Sequence, residues 1–246
     1  LEESQTNLNS ITSSISNLKS TNVNSIVTPI KTSIEPISST NSYLLYILPS
    51  MLVLLIMFVA ILMSSSAIIT EKDSRAYFRN FITPTNSFLF LLGEFLTNML
   101  ILLFQITVIL FVLYFIFEGM LDKDILILTG IALVTLSIFF VLLGMLFGYL
   151  FSTKQTVTLA SISASIVMLF FSNTILPLET LPSYLRNIVS YNPFVIGESM
   201  LKKIILFYST FTGISEMIYT VLIFSILIII LVILARYASK NQINKD

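Results

Sequence analysis

Three polar side chains, Glu94, Asn98 and Gln105, interrupt one of the most apolar stretches of the chain. At roughly 100° per residue on a helix they fall within about 40° of one another, a single stripe running from one end of the stretch toward its middle. Such a stripe either lines a solute path or hydrogen-bonds a neighbouring helix. Glu94, near the end, can instead extend to the lipid headgroups. A second stripe holds Thr158, Ser161, Ser165 and Ser172, with Ala160 and Ala164 beside it, and Gly144 and Gly148 form a GxxxG pair. Small residues let helix backbones approach closely, so these positions predict helix packing, within the chain or between subunits, ahead of direct solute binding. Ser64, Ser65 and Ser66 lie near one end of their span, where they suit interface solvation.

Other chemistry is excluded by what the chain lacks. With no cysteine and no histidine, thiolate nucleophiles, Cys/His metal sites and imidazole acid–base catalysis are all missing. No GxxxxGK[ST] phosphate loop occurs, and no pair of carboxylates suited to acid–base work falls in the apolar stretches. Formal net charge is zero, so no basic surface invites nucleic acid. The sequence therefore predicts no catalytic residue, no metal site and no cofactor bound by this chain. Energy for any work must come from a gradient or from a partner.

One charged, aromatic island remains, "ITEKDSRAYFRNFITPTNS" at 69–87. If 71–82 is helical, Lys72, Arg75 and Arg79 share one face, with Tyr77, Phe78 and Phe81 roughly opposite. Glu71 stands four residues before Arg75 as a favourable pair. Pro84 ends the piece and Thr85–Asn86–Ser87 can cap the next helix. Such an element either lies in the interface, basic residues on anionic lipid, or docks a cytoplasmic protein through aromatic anchors inside a charged rim.

The elements that must position these groups are transmembrane helices. The chain is 56% hydrophobic and 11% charged, with a mean hydropathy of +0.95, whereas soluble domains carry about a quarter of their residues as charges. Apolar runs long enough to cross a bilayer predict an all-α, polytopic membrane protein with five spans, at about 43–68, 88–117, 125–151, 157–176 and 214–236. Residues 1–42 are rich in Ser, Thr and Asn, too polar for a core of their own. They read as a flexible stalk, or as a helical stalk pairing with another subunit through Leu1, Leu8, Ile11, Ile15 and Leu18 at heptad-like spacing. Pro29 and Pro36 would stop such a helix before the membrane.

Orientation follows the distribution of basic residues. Lys72, Arg75, Arg79, Lys154, Arg236, Lys240 and Lys245 then lie inside, and the acidic loop with Glu118, Asp122 and Asp124 lies outside. The expected topology is a multi-pass cell-membrane protein, stalk outside, domain 43–240 in the membrane and tail 241–246 in the cytoplasm. Between the last two spans, Pro177, Pro182 and Pro193 divide an outer segment into two short amphipathic pieces, interfacial or re-entrant in character.

Two motifs carry a family resemblance. "TEKDSRAYFRNFITPTNSFLFLLGEFL" resembles the segment between the second and third helices of ABC-2 type transporter permeases, matching at Glu71, Lys72, Asp73, Thr83, Pro84 and Gly93. Arg75 and Ala76 replace the usual Gly-Thr, and Glu94 stands where Lys is common. "ILPLETLPSYLRNIVSYNPF" is similar to that family's outer signature, matching at Pro177, Leu178, Glu179, Pro182, Asn192 and Pro193. The resemblance spans about 43–240. It implies a six-helix permease whose first helix, absent from this sequence, precedes an outer domain of which the stalk would be a remnant.

The resemblance also implies a mechanism. Two permeases pair, as a homodimer or heterodimer, in the lipid bilayer, each resting on a separate cytoplasmic ATP-binding subunit that carries ATP and Mg. Residues 71–83 would be the coupling helix, with Glu71, Lys72, Asp73, Arg75, Tyr77, Phe78, Arg79, Phe81 and Pro84 at that contact. Pro177, Glu179, Pro182, Asn192 and Pro193 would lie at the outer gate, and the serine stripe would suit the dimer contact. The expected function is export of an amphiphilic solute, such as a lipid, drug or peptide. A membrane anchor or surface-assembly protein working through its stalk is the alternative. A gradient-driven carrier, with Glu94 as its proton carrier, is disfavoured by the missing inverted repeat and the missing deep carboxylate.

Overall fold

The computed structural model describes residues 5, 12–13, 40–74, 87–117, 122–172, 174–175 and 181–243. Two compact units divide the chain, 1–39 and 40–246. In the first, Gln5, Thr12 and Ser13 are helical and exposed; the heptad positions and both stalk prolines lie outside the described residues. The second unit is a helical bundle, with no strand among the described residues.

Its helices are α1 (Thr40–Asp73), α2 (Ser87–Ile116), α3 (Lys123–Leu150), α4 (Lys154–Phe170), α5 (Ser183–Ser190), α6 (Pro193–Phe207) and α7 (Phe211–Ile243). At about 1.5 Å per residue, α1, α2, α3 and α7 are each longer than a bilayer core of about 30 Å. All four are also apolar enough to cross one. The chain is thus an all-α polytopic membrane protein.

The fourth expected span differs from its prediction. α4 has 17 residues and ends at Phe170 rather than near 176. Ser172 breaks it: its hydroxyl accepts the Thr174 N–H at 3.3 Å, a local turn that competes with helix propagation. The helix starts earlier than expected because Thr153 caps it, its hydroxyl accepting the Thr156 N–H at 3.2 Å.

α3 is the hub, packing against α1, α2, α4, α6 and α7, with its most extensive contact on α1. Buried along it are Ala132, Leu133, Leu136, Phe140 and Met145, facing Val53, Ile56, Met57, Ala60 and Ile61 of α1 in one continuous core. α2 and α7 are peripheral. Leu100, Phe104 and Phe111 of α2, and Ile223, Ile226 and Ile230 of α7, are exposed, an apolar perimeter of the kind lipid requires and water does not tolerate.

Candidate functional site

At one end of the bundle the α1, α2, α3 and α7 termini converge. α1 does not stop at 68. It continues through Glu71, Lys72 and Asp73 and closes at Ser74, whose N–H and hydroxyl both donate to the Glu71 carbonyl, at 3.0 and 2.7 Å. Lys72 therefore sits in the last turn of α1 and reaches across to α3. Its ammonium donates to the carbonyls of Gly148, Tyr149 and Phe151 at 3.1, 3.2 and 3.1 Å. A helix leaves its last carbonyls unpaired and its C-terminus partly negative, and a cation placed there answers both. From α7, Arg236 donates to the Tyr149 hydroxyl at 2.9 Å and lies 5.9 Å from the Phe90 ring of α2. Of the expected coupling residues, Arg75, Tyr77, Phe78, Arg79, Phe81 and Pro84 lie outside the described residues.

Along the crossing of α1 and α3 the small residues face inward. A methyl group at Gly144 would overlap the Ser64 hydroxyl and approach the Ile61 carbonyl oxygen to 2.5 Å; one at Gly148 would meet Ile68 Cβ at 2.5 Å. Ser161 and Ser165 are fully buried. The Ser161 hydroxyl donates to that of Ser65 at 2.9 Å, joining α4 to α1, and Ser165 donates to the Ser161 carbonyl at 2.9 Å. These contacts lie within one chain. Ser64, expected in the interface, is fully buried and donates to the Ala60 carbonyl at 2.6 Å.

The α2 stripe divides. Asn98 is buried and returns its amide to the Glu94 carbonyl at 2.8 Å, while Gln105 is half-buried. Glu94 is half-buried too and lines a cavity of about 250 Å³ with Leu89, Phe90 and Gly93.

At the opposite end Asn192 joins two helices. Its Oδ1 accepts the Phe194 N–H at 3.1 Å, capping α6, and Pro193 occupies the first turn, where its missing N–H is harmless. The amide of the same side chain donates to the Met168 and Phe171 carbonyls at the end of α4, at 2.7 and 2.9 Å. Pro182 precedes α5 as its N-cap; Pro177 and Glu179 lie outside the described residues. α5 is exposed through Tyr184 and Ile188, as an interfacial helix would be. α6 enters the bundle instead, its Gly197 against Val53 of α1 and Leu136 of α3.

A buried carboxylate on α6 was not anticipated. Glu198 is 1% exposed. Its Oε1 accepts from the Ser50 hydroxyl of α1 at 2.9 Å and from Lys202 Nζ at 2.6 Å, and Lys202 lies 4.8 Å from the Tyr46 ring. The bundle therefore holds a buried carboxylate outside the residues singled out from the sequence. Its signal was present as Glu and Lys four residues apart on a helix, flanked by Phe194, Val195, Ile196, Met200, Leu201, Ile204 and Ile205. Proline-bounded and short, the segment read as an outer element.

A bundle of long apolar helices, tied at one end by Lys72 on the α3 terminus and entered at the other by a short helix, is a polytopic membrane domain. The family described as ABC-2 family transporter protein matches residues 2–237, and the chain belongs to that family. It is a permease of the ABC transporter type. The matched range includes nearly all of the polar N-terminal segment as well as the bundle. No curated protein matches the chain closely enough to serve as a relative.

Proposed function

We propose that the chain is the permease subunit of an ATP-driven exporter that moves an amphiphilic solute outward. Residues 71–83 couple it to a separate ATP-binding subunit, and ATP and Mg act on that subunit. A second permease, identical or homologous, completes the membrane part. Stalk and α6 face outward, and the C-terminus is cytoplasmic.

The Lys72 contact supports this assignment best. A segment pushed from the cytoplasm needs a stiff connection to the bundle, because a conformational change is transmitted only through elements with defined alternative packings. Lys72, at the root of the expected lever, grips the terminus of the hub helix, which also holds Arg236 of α7. A push delivered just beyond Asp73 thus reaches α1 and α3 together. The basic residues at this end favour the cytoplasmic side, and the apolar bundle with few buried polar groups suits an amphiphile better than a sugar.

Co-expression with the cognate ATP-binding subunit, followed by purification and reconstitution, tests the proposal. The expected result is a stable complex whose ATP turnover drives outward movement of a fluorescent lipid analogue, a cationic dye or a labelled peptide. Replacing Phe78 and Phe81 with Ala should abolish assembly. Intact assembly and turnover in that variant would remove the coupling assignment. A chain that neither binds an ATP-binding subunit nor moves any probe would favour the anchor alternative.

A further inference from the structure

Glu198 is the only acidic side chain buried among the described residues. One of its oxygens takes both available donors, from Ser50 and Lys202. The other, Oε2, is equally buried and accepts from no donor among the described residues. A carboxylate held this way is only half solvated by the protein, and a half-satisfied buried polar cluster is less stable than an apolar contact of the same shape.

Around it, the seam between α6 and α1 is close-packed. A methyl group at Gly197 would meet Val53 Cγ1 of α1 at 3.3 Å, and Leu136 of α3 stands on its other side. Val53, Met200 and Leu201 are all buried. The chain thus sets, in the middle of a tight apolar seam, one group whose hydration favours parting the seam. Lys202 provides the way out. Its side chain is 16% exposed and Tyr46 beside it is 55% exposed, so the ion pair is open to the surroundings only along that rim.

We propose that Ser50, Glu198 and Lys202 form a latch on a movable seam. The ion pair and the Ser50 hydrogen bond hold α6 against α1 when closed. When α6 moves away, hydration of both Glu198 oxygens offsets the apolar contact that is lost. The latch stands on the geometry alone; its service as the exit gate rests on the permease assignment above.

The chain has no cysteine, so a Val53→Cys reporter gives one reactive thiol beneath α6. Its modification by a polar, membrane-impermeant maleimide, in permeabilised membranes that expose both faces, reads how often the seam opens. Two changes at the latch should move it in opposite directions. Lys202→Met leaves the buried carboxylate uncompensated and should raise the labelling rate by about tenfold or more, since breaking a buried pair is strongly unfavourable. The double change Glu198→Leu with Lys202→Leu replaces the pair by apolar contact and should lower the rate below that of the reporter alone.

A pair that on balance stabilises the closed seam, rather than leaving it poised to part, predicts faster labelling in both variants. That result, or an unchanged rate in Lys202→Met, overturns the latch. Detergent melting curves ensure that only folded variants are compared, and Lys202→Gln serves as a second single variant if Lys202→Met does not fold. With the ATP-binding subunit and ATP added, the reporter chain should label faster and the double variant should not respond. An assembled complex in which ATP leaves the reporter unmoved counts against the exit-gate role, whereas the resting order alone decides the latch.

Discussion

The tight crossing of α1 and α3 yields a comparison in which one residue type is changed at two places. Gly144 and Gly93 both lie inside long helices, so replacing either with Ala brings the same gain in helix propensity, about 1 kcal/mol. Their surroundings differ. A methyl group at 144 would overlap the Ser64 hydroxyl and lie 2.5 Å from the Ile61 carbonyl oxygen and 2.9 Å from Ile61 Cα. Around 93 nothing lies within 4 Å among the described residues. The Ser64 hydroxyl can rotate, but the Ile61 atoms are backbone, so α1 and α3 must separate by several tenths of an ångström or more. Overpacking of this kind costs about 1–3 kcal/mol. The propensity gain cancels between the two variants, so Gly144→Ala should be less stable than Gly93→Ala by about 1–3 kcal/mol. Unfolding of the purified protein by SDS in mixed micelles, followed by far-ultraviolet circular dichroism, measures the difference. Adding Ser64→Ala should rescue only part of it. Equal stability of the two alanine variants, or full rescue, would refute the reasoning, because it would mean that the helices do not approach as closely as the glycine requires.

Two further substitutions probe the ends of the bundle. Asn192→Asp keeps the α6 cap but loses the two amide bonds to α4, whereas Asn192→Ala loses both. Thermal unfolding in detergent should rank them wild type, Asp, Ala, with the cap alone worth about 1 kcal/mol. An Asp variant no more stable than Ala would show that repulsion of the carboxylate by the Met168 and Phe171 carbonyls outweighs the cap. Lys72→Met should lower stability by about 1.5–3 kcal/mol, the range for hydrogen bonds to a charged group, and Lys72→Arg should restore part of the loss in the same melting assay. A neutral Lys72→Met would dissolve the link between the lever root and α3.

Much of the architecture was legible because the properties that produce it are local. Apolar length marked the four long helices, and the boundaries expected for α2 and α3 fall within two residues of those observed. Pro193 was readable as a divider between two short helices because a preset φ acts on its immediate neighbours, whereas the Asn192 cap came from the structure. The GxxxG pair declared close packing, since a missing Cβ admits another backbone whatever that backbone is. α4 was overextended because Ser172 is neutral to hydropathy yet turns the chain through its own hydroxyl.

Which partner each residue meets was not legible, and that divides the two sources of information about this protein. By itself the sequence determined that the chain enters a membrane as helices and where the long ones run. Those features follow from hydropathy and hydrogen bonding along a single segment. Only the tertiary structure decided that Lys72 reaches the α3 carbonyls, that the serines of α4 bond within the chain, and that Glu198 is sealed against Ser50, 148 positions away in sequence. Burial and pairing belong to the neighbours that folding supplies, and a short amphipathic helix becomes interior only when α1 and α3 close around it.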